Sequence, residues 1–338
     1  MKNLETKFMG ITLENPIILG ASNISSNLKQ LKKAEEQGVG AIVYKTLFEE
    51  QVQLENLQLG ERLEQYTDIH AEMTSIYPDV EFSEIDYHLA RLQKTKESLS
   101  VPVFASLNAV NTVSWIKYAK MIEETGVDGI EVNLYQTPSN FDLDGATIEA
   151  NQLAVVEELK KNLSIPISVK LSSDYTNVLN FIKRLDATGV GALVLFNSFF
   201  QPDIDIEKEK HVKSFNLSQK GDYKKSLRYA GMLYGNIQAD ICSSRGIFNG
   251  DDVVKLILSG AKTVQVVSSI YKNGTGRIAE IKRELSDWME GKGYDSLDEF
   301  RGRLANINLD KNQNALVYKR AQYIDLLLSS DTIFGNFG

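Results

Sequence analysis

The chain has 338 residues, enough for one large domain or two ordinary ones, and its 43% hydrophobic and 24% charged residues are ordinary for a globular protein. The formal net charge of −8 disfavours a general role on nucleic acid or anionic membranes, because both need clustered cationic charge. One cysteine, Cys242, excludes an internal disulfide and an iron–sulfur cluster ligated by cysteines of this chain alone. Because the sequence shows no signal-peptide core and no stretch of membrane-span length, we expect a soluble, cytoplasmic protein.

Eight apolar runs are predicted to be β-strands. In chain order they lie in PIILGAS (16–22), EEQGVGAIVYK (35–45), VPVFASLNA (101–109), EETGVDGIEVN (123–133), IPISVKLS (165–172), DATGVGALVLF (186–196), NIQADICSS (236–244) and LSGAKTVQVVS (258–268). Four of them repeat one pattern, in which a helix ends at a Gly and a β-branched run follows after a short gap. Gly suits the positive φ common after a helix, and the apolar runs are typical of parallel strands covered on both faces.

Helical patterns separate most of these strands. They are LKQLKKAEEQG, TVSWIKYAKMIEETG, TIEANQLAVVEELKKN, YTNVLNFIKRLDATG and GDDVVKLILSG. Eight strand–helix units predict a TIM (β/α)8 barrel. A doubly wound open sheet is the alternative, but it normally carries a Gly-rich turn after its first strand, and ILGASNIS lacks that turn.

Two long spacings, 47–100 and 198–235, follow the second and sixth strands and are predicted to be insertions on the active-site face. They are expected to form lids or binding walls, with surface decoration or a subunit contact as the alternative. After the eighth strand, an amphipathic helix, a shorter helix and a helix over NQNALVYKRAQYIDLLLSS complete the barrel, with a helical extension at about 305–338. No linker composition interrupts the chain, so we predict a single domain over residues 1–338.

Polar residues at the strand ends are expected to converge on one pocket, as the C-terminal ends do in this barrel. Two lysines, Lys45 and Lys170, and three asparagines, Asn108, Asn133 and Asn197, follow apolar runs. No Asp or Glu ends a strand to neutralise the lysines, so the pocket is predicted to take an anionic ligand with several hydrogen-bonding edges. The alternative makes the lysines surface ion-pair partners and the asparagines turn residues.

The segments SSRGIFNGDD and VVSSIYKNG follow the seventh and eighth strands, where many such barrels bind phosphate through backbone N–H groups and a helix N-terminus. Gly246 permits close approach of a ligand, and Arg245 adds charge. A phosphate at one end and lysines and amides near the middle suit flavin mononucleotide (FMN). A lysine beside the flavin N1–O2 edge would stabilise the reduced flavin.

The motifs ENPIILGAS, AIVYKT, GIEVNL, SVKL, LFNS and SSRGIFNGDDVVKLILSGAKTVQVVSSI resemble, in the same order, those of the dihydroorotate dehydrogenase family, especially its dihydroorotate dehydrogenase-like branch. The resemblance implies that Lys45 acts in catalysis and that Lys45, Asn133 and Asn197 contact the substrate. The predicted FMN-binding residues, from the resemblance and from strand-end position, are Ala21, Ser22, Lys45, Thr46, Asn108, Asn133, Lys170, Ser198, Ser244, Arg245, Gly246, Val267 and Ser268.

The resemblance breaks in EVNLYQTPSN, where the family places a Cys or Ser base two residues after Asn–Leu and directly before Pro–Asn. A one-residue insertion puts Thr137 before the Pro, whereas Gln136 takes the position without it, and Tyr135 is a third candidate. A Thr hydroxyl acts as a base only with a water chain or a neighbouring acceptor. Packing and hydrogen bonding within the loop is the alternative for all three.

Three hypotheses for the function follow. The first is an FMN-dependent oxidation of dihydroorotate to orotate in pyrimidine biosynthesis. The second is an FMN oxidoreductase for another small planar substrate, and the third is a flavin-binding homologue without activity. The family implies a homodimer, and a soluble electron acceptor or a separate partner subunit fits by elimination. No metal is predicted, because His70, His88 and His211 have no ligand spacing, and Cys242 is expected to be a buried core residue.

Overall fold

Eight parallel strands close into a barrel in the computed structural model, which describes residues 2–53, 84–134, 140–197, 202–212, 217–309, 317–319 and 321–329. Each strand pairs with its neighbour in the chain, and the last pairs with the first. The strands are β1 (Ile17–Leu19), β2 (Ala41–Phe48), β3 (Val103–Asn108), β4 (Gly129–Asn133), β5 (Ile167–Leu171), β6 (Ala192–Leu195), β7 (Asp240–Ser244) and β8 (Thr263–Val266). The predicted TIM barrel is confirmed.

Helices follow the strands around the outside of the barrel. They are α1 (Leu28–Glu36), α2 (Glu84–Ser98), α3 (Thr112–Glu123), α4 (Gly145–Asn162), α5 (Val178–Asp186), α6 (Lys224–Leu233), α7 (Gly250–Ser259), α8 (Ser268–Asn273), α9 (Arg277–Lys292) and α10 (Ala321–Leu328). The best-defined boundaries belong to α7. Asn249 and Asp252 form a capping box at its start, and Gly260 ends it with a φ of 115°.

The strands separate two cores, because alternate residues of a strand point to opposite faces. In β4, Ile130 and Val132 pack in the outer core between the strands and the helices. Gly129, Glu131 and Asn133 have the opposite direction and face the barrel axis. The barrel interior is therefore filled by a different set of residues from those that hold the helices.

A β-hairpin closes the N-terminal end of the barrel. Its strands, Thr6–Phe8 and Ile11–Leu13, are antiparallel, and Phe8 contacts Phe104 with ring centroids 5.7 Å apart. The Met9 N–H donates to a carboxylate oxygen of Asp240 over 2.8 Å. The inner core at this end is apolar and consists of Phe8, Met9, Leu13, Ile18, Ala41, Val43, Phe104, Ala192, Val194 and Cys242. The sequence analysis did not predict this hairpin.

The chain after β6 carries a second hairpin, Asp203–Asp205 with Lys210–Val212, within the predicted insertion. Most of the insertion predicted after β2 lies outside the described residues. Two C-terminal predictions are wrong in part. Beyond α9 the predicted shorter helix is a single 3-10 turn at Leu297–Glu299, and α10 begins only at Ala321, since residues 317–319 form a turn. No described helix has the length and apolarity needed to cross a membrane.

The contact between the hairpin and the barrel predicts that Gly129→Ala destabilises the fold. A Cβ at Gly129 lies 2.9 Å from the Pro166 carbonyl oxygen, 3.1 Å from the Phe104 ring and 3.3 Å from Met9, so overpacking lowers the free energy of unfolding by about 1–3 kcal/mol. Urea denaturation measures the loss. Gly145→Ala, whose Cβ meets nothing within 4 Å, is the control and keeps the stability of the unchanged protein or gains slightly. Equal stabilities of the two variants contradict the prediction.

Candidate active site

A cavity of about 260 Å³ opens at the C-terminal ends of the strands. Eight residues predicted from the sequence to bind FMN or substrate line it together: Ala21, Lys170, Asn197, Ser244, Arg245, Gly246, Val267 and Ser268. The remaining wall includes Phe196, Leu217, Ser218, Ile247, Gln265 and Val266. Residues of β5, β7 and β8 and of the segments that follow β1, β6, β7 and β8 thus meet at one face, as the barrel topology requires.

The three predicted asparagines are joined by hydrogen bonds. The Asn197 side-chain amide donates to the Asn133 Oδ1 over 2.8 Å, and the Asn108 amide donates to the Asn133 backbone carbonyl over 2.7 Å. Asn108 and Asn133 are buried at the ends of β3 and β4. These contacts fix the Asn133 amide, whose Nδ2 donor makes no hydrogen bond with the described residues and is available to a ligand.

Lys170 has a carboxylate partner inside the barrel. Its Nζ lies 3.4 Å from the Glu131 Oε1 and 3.2 Å from the Gln265 Oε1. The Gln265 amide donates in turn to the second oxygen of Glu131. The expectation that no acid neutralises Lys170 is therefore wrong, because Glu131 stands two residues before the strand end and faces the interior.

Lys45 and Thr46 stand near the end of β2. Lys45 is half-buried, and among the described residues no carboxylate lies within ion-pair distance of it. The Thr46 and Ser106 hydroxyls share a hydrogen bond of 2.9 Å, close to the shift of register between β2 and β3 after Tyr44. The Thr46 side chain thus links two strands, and its role toward FMN stays a prediction.

The predicted phosphate end contains buried polar atoms without partners. The Ser269 Oγ and the Arg245 Nε have no hydrogen bond with the described residues, although buried polar groups are almost always satisfied. The Arg245 Nη2 lies 3.7 Å from the Asp222 carboxylate. The Ser22 Oγ, after β1 where the flavin is predicted, also lacks a partner among the described residues. The Arg245 backbone has a φ of 74°, a conformation that residues other than Gly rarely adopt. Unpaired donors beside the cavity, with a lysine and several amides at its other end, fit a phosphate-bearing cofactor such as FMN.

Neither Cys242 nor His88 is placed for proton transfer in this cavity. Cys242 lies in the apolar inner core, and burial raises the pKa of its thiol to about 12. His88 packs against Tyr44 with ring centroids 5.3 Å apart, and burial, assisted by the charge of Lys45, lowers its pKa to about 4. His211 is exposed on the second hairpin, and the described residues contain no cluster of three potential metal ligands.

Several predicted residues lie outside the described part of the chain. Thr137 and Ser198 are among them, as are the other two candidates for the base, Tyr135 and Gln136, and also His70. The structure therefore leaves the proton acceptor as a prediction. The sequence analysis missed two site residues, Glu131 and Gln265. Both could have been found from the alternation of side chains along β4 and β8, which directs them into the barrel.

The barrel and its polar cavity fit a flavin-dependent enzyme, and the family match makes the protein an FMN-dependent dehydrogenase that acts on CH–CH bonds. The family model described as dihydroorotate dehydrogenase matches residues 3–289, and the chain belongs to this family. The catalytic subunit of dihydroorotate dehydrogenase B (NAD(+)) from Thermoplasma volcanium is 26% identical over 313 residues, which cover 89% of this chain and 98% of that protein.

Two further relatives show the breadth of the family. A putative dihydroorotate dehydrogenase A (fumarate) from Aeropyrum pernix is 30% identical over 219 residues, covering 62% of this chain and 70% of that protein. The NAD-dependent dihydropyrimidine dehydrogenase subunit PreA from Escherichia coli K12 is 24% identical over 349 residues, covering 94% of this chain and 82% of that protein. The relatives thus differ in the substrate and in the electron acceptor that their names give.

His88 predicts a loss of stability in mild acid. Burial lowers the His88 pKa to about 4 in the folded protein. Between pH ~6.5 and ~4, therefore, the imidazole is protonated in the unfolded chain but neutral in the folded one. The contribution of His88 to the free energy of unfolding is fully present above pH ~6.5 and declines by up to about 3 kcal/mol as the pH falls to ~4. Urea denaturation across this range should show a flatter pH dependence for His88→Phe. His211→Asn is the exposed control, and an equal flattening in it contradicts the assignment.

The close packing around Gly246 at the cavity predicts that a larger residue at this position weakens FMN binding. Its φ is 65°, and a Cβ lies 2.6 Å from the Asp222 nitrogen and 2.7 Å from the Gln219 carbonyl oxygen. Gly246→Ala must displace this loop, and we expect FMN to bind at least about tenfold more weakly, or ~1.4 kcal/mol, in a fluorescence titration of the apoprotein. Gly274→Ala is the control, since Gly274 has a φ of 78° but open space around its Cβ. Equal losses in both variants count against the site.

Proposed function

We propose that this protein oxidises dihydroorotate to orotate with bound FMN, as a step of pyrimidine biosynthesis. The observation that carries the proposal is the position of Asn133, Asn197 and Lys45 at or near the C-terminal ends of β4, β6 and β2, the barrel face on which the cavity opens. Asn133 and Asn197 are hydrogen-bonded to each other. Amides recognise the ring N–H and C=O groups of a dihydropyrimidine. Lys45 has no carboxylate partner among the described residues, and such an ammonium suits the substrate carboxylate.

The reaction removes two hydrogens from adjacent carbons, one as a proton and one as a hydride. FMN supplies the two-electron acceptor for the hydride when it is bound. The protein's part is to hold the ring by the Asn133 and Asn197 amides, to anchor the carboxylate at Lys45, and to place a cation, Lys170, in the cavity wall. A proton acceptor completes the set, and Thr137 is the residue that we propose for it.

The charge at Lys45 favours an anionic substrate over a neutral one. A neutral dihydropyrimidine is nevertheless the second candidate, because one relative is named a dihydropyrimidine dehydrogenase subunit and the LYQTPSN loop departs from the family pattern. The reaction type is the same for both substrates. Only the ring carboxylate separates them, so its contribution to the rate is the quantity to measure.

We propose two possible assemblies of this chain, a homodimer and a complex with a separate subunit. The family resemblance supports a homodimer. The relatives named as catalytic subunits support a separate partner subunit that accepts the electrons. Light scattering of the purified chain, alone and mixed with such a subunit, distinguishes the two assemblies.

Anaerobic flavin reduction tests the proposed substrate. Dihydroorotate should bleach the FMN absorbance of the purified holoprotein in a stopped-flow experiment, and dihydrouracil should react at least about 100-fold more slowly, because it lacks the carboxylate. Asn133→Ala, measured with FMN at a saturating concentration, should slow the reaction by about 10–100-fold. Asn236→Ala, at an exposed amide that caps α6, is the control.

Each outcome has one meaning. Faster bleaching by dihydrouracil replaces the first candidate with the second. Tight FMN with no bleaching by either compound contradicts both and leaves a binding protein without this activity.

A further inference from the structure

We propose that Glu131 is a positioning residue that holds Lys170 from inside the barrel and lowers the midpoint potential of the bound flavin. Lys170 and Gln265 both line the cavity, whereas Glu131 lies behind them and does not reach it. Glu131 therefore acts on the cofactor through its neighbours. The inference rests on the FMN site and is independent of the substrate.

The three side chains come from three strands and form a closed ring of contacts. The Lys170 Nζ contacts Glu131 at 3.4 Å and Gln265 at 3.2 Å, and Gln265 donates to the remaining carboxylate oxygen. Each oxygen of Glu131 is thus used once. A side chain as long as lysine has many rotamers, and two acceptors at fixed positions leave its ammonium few alternatives.

Burial strengthens the electrostatic effect of the Glu131 carboxylate on Lys170 and on the cavity. Glu131 is 1% exposed and Gln265 is 3% exposed, while the Lys170 side chain retains 12% exposure toward the cavity. Water screens such charges little, so a carboxylate at this depth acts on the ammonium and, beyond it, on the cavity. Buried ion pairs often add nothing to stability over an apolar replacement. The position of this pair against the cavity wall points to a role in the site.

The sign of the effect follows from electrostatics. Reduction adds electron density to the flavin, and a nearby ammonium favours the reduced form. A fixed carboxylate beside the ammonium offsets part of that attraction. Glu131 therefore keeps the flavin a weaker oxidant than Lys170 alone would make it.

Gly20 leaves space for the Gln265 side chain, which supports a specific role for the contacts among Gln265, Lys170 and Glu131. A Cβ at Gly20 lies 3.2 Å from the Gln265 Oε1 and 2.8 Å from a methyl group of Val267, so a side chain at position 20 would press on both. Gly20 has no positive φ that would require glycine by itself. The glycine leaves room for the amide that bridges Lys170 and Glu131.

A second lysine–carboxylate pair provides a matched control at the other end of the barrel. Lys262 contacts Asp240 at 2.8 Å, and Asp240 also accepts the Met9 N–H. Asp240 belongs to β7, which contributes to the cavity only at its opposite end. Asp240→Asn removes a partly buried, paired carboxylate, as Glu131→Gln does, without touching the cavity wall.

The test is a redox titration of the purified holoprotein at pH 7, with dyes of known potential. Glu131→Gln should raise the two-electron midpoint potential by at least about 30 mV, which is a tenfold shift toward reduced flavin. Glu131→Asp retains the charge and should restore most of the original potential. Asp240→Asn should lower the thermal midpoint of the apoprotein but leave the potential unchanged, which separates positioning from general stability.

A second pair of variants keeps the test decisive if Glu131→Gln does not hold FMN. Lys170→Met should lower the potential, and Lys170→Met with Glu131→Met should raise it again relative to Lys170→Met. The double variant replaces the whole pair by apolar side chains, which folded proteins often tolerate. An unchanged or lowered potential in Glu131→Gln overturns the inference, as does a double variant with the same potential as Lys170→Met.

Discussion

The ion pair between Lys170 and Glu131 inside the barrel is the constraint on which the candidate site depends. The Lys170 side chain is only 12% exposed, and at that depth the partner of an ammonium determines where the ammonium can lie. Glu131 and Gln265 provide that partner from β4 and β8, at 3.4 Å and 3.2 Å from the Lys170 Nζ. The cation that the cavity presents to a cofactor is therefore held from within and does not depend on a flexible loop.

This pairing requires a barrel interior with two different ends. At the N-terminal end, Phe8 and Met9 of the hairpin pack with Phe104 and Cys242 in the apolar inner core. The C-terminal end carries the charges and amides. The apolar inner core keeps the local dielectric low, which strengthens each polar contact at the cavity and penalises any that is left unmade. Stability and ligand binding are thus divided between the two ends, as is general for this fold.

The barrel could be predicted because its signals are local and repeated. A glycine after each of several helices, followed by an apolar run, needs no knowledge of distant residues, and the eight strands lie where the patterns place them. The hairpin of Thr6–Phe8 and Ile11–Leu13 was missed because three-residue strands carry too little periodicity. The pairing of Lys170 was missed because Glu131 is one polar residue in the apolar run GIEVN, and its partner is 39 positions away. Eight of the residues predicted from strand ends line one cavity, whereas Ser22, Lys45, Thr46, Asn108 and Asn133 are not among its lining residues. Which side chains satisfy one another depends on registers and directions that no single segment records.

A crystal structure of the protein with bound FMN tests the central claim most directly. The account predicts the flavin ring against Lys170, with the Lys170 Nζ at a hydrogen-bond distance of about 2.7–3.2 Å from the ring, and the phosphate beside Gly246 and Ser268. A flavin bound elsewhere on the molecule, or a Lys170 side chain turned away from the ring, contradicts it.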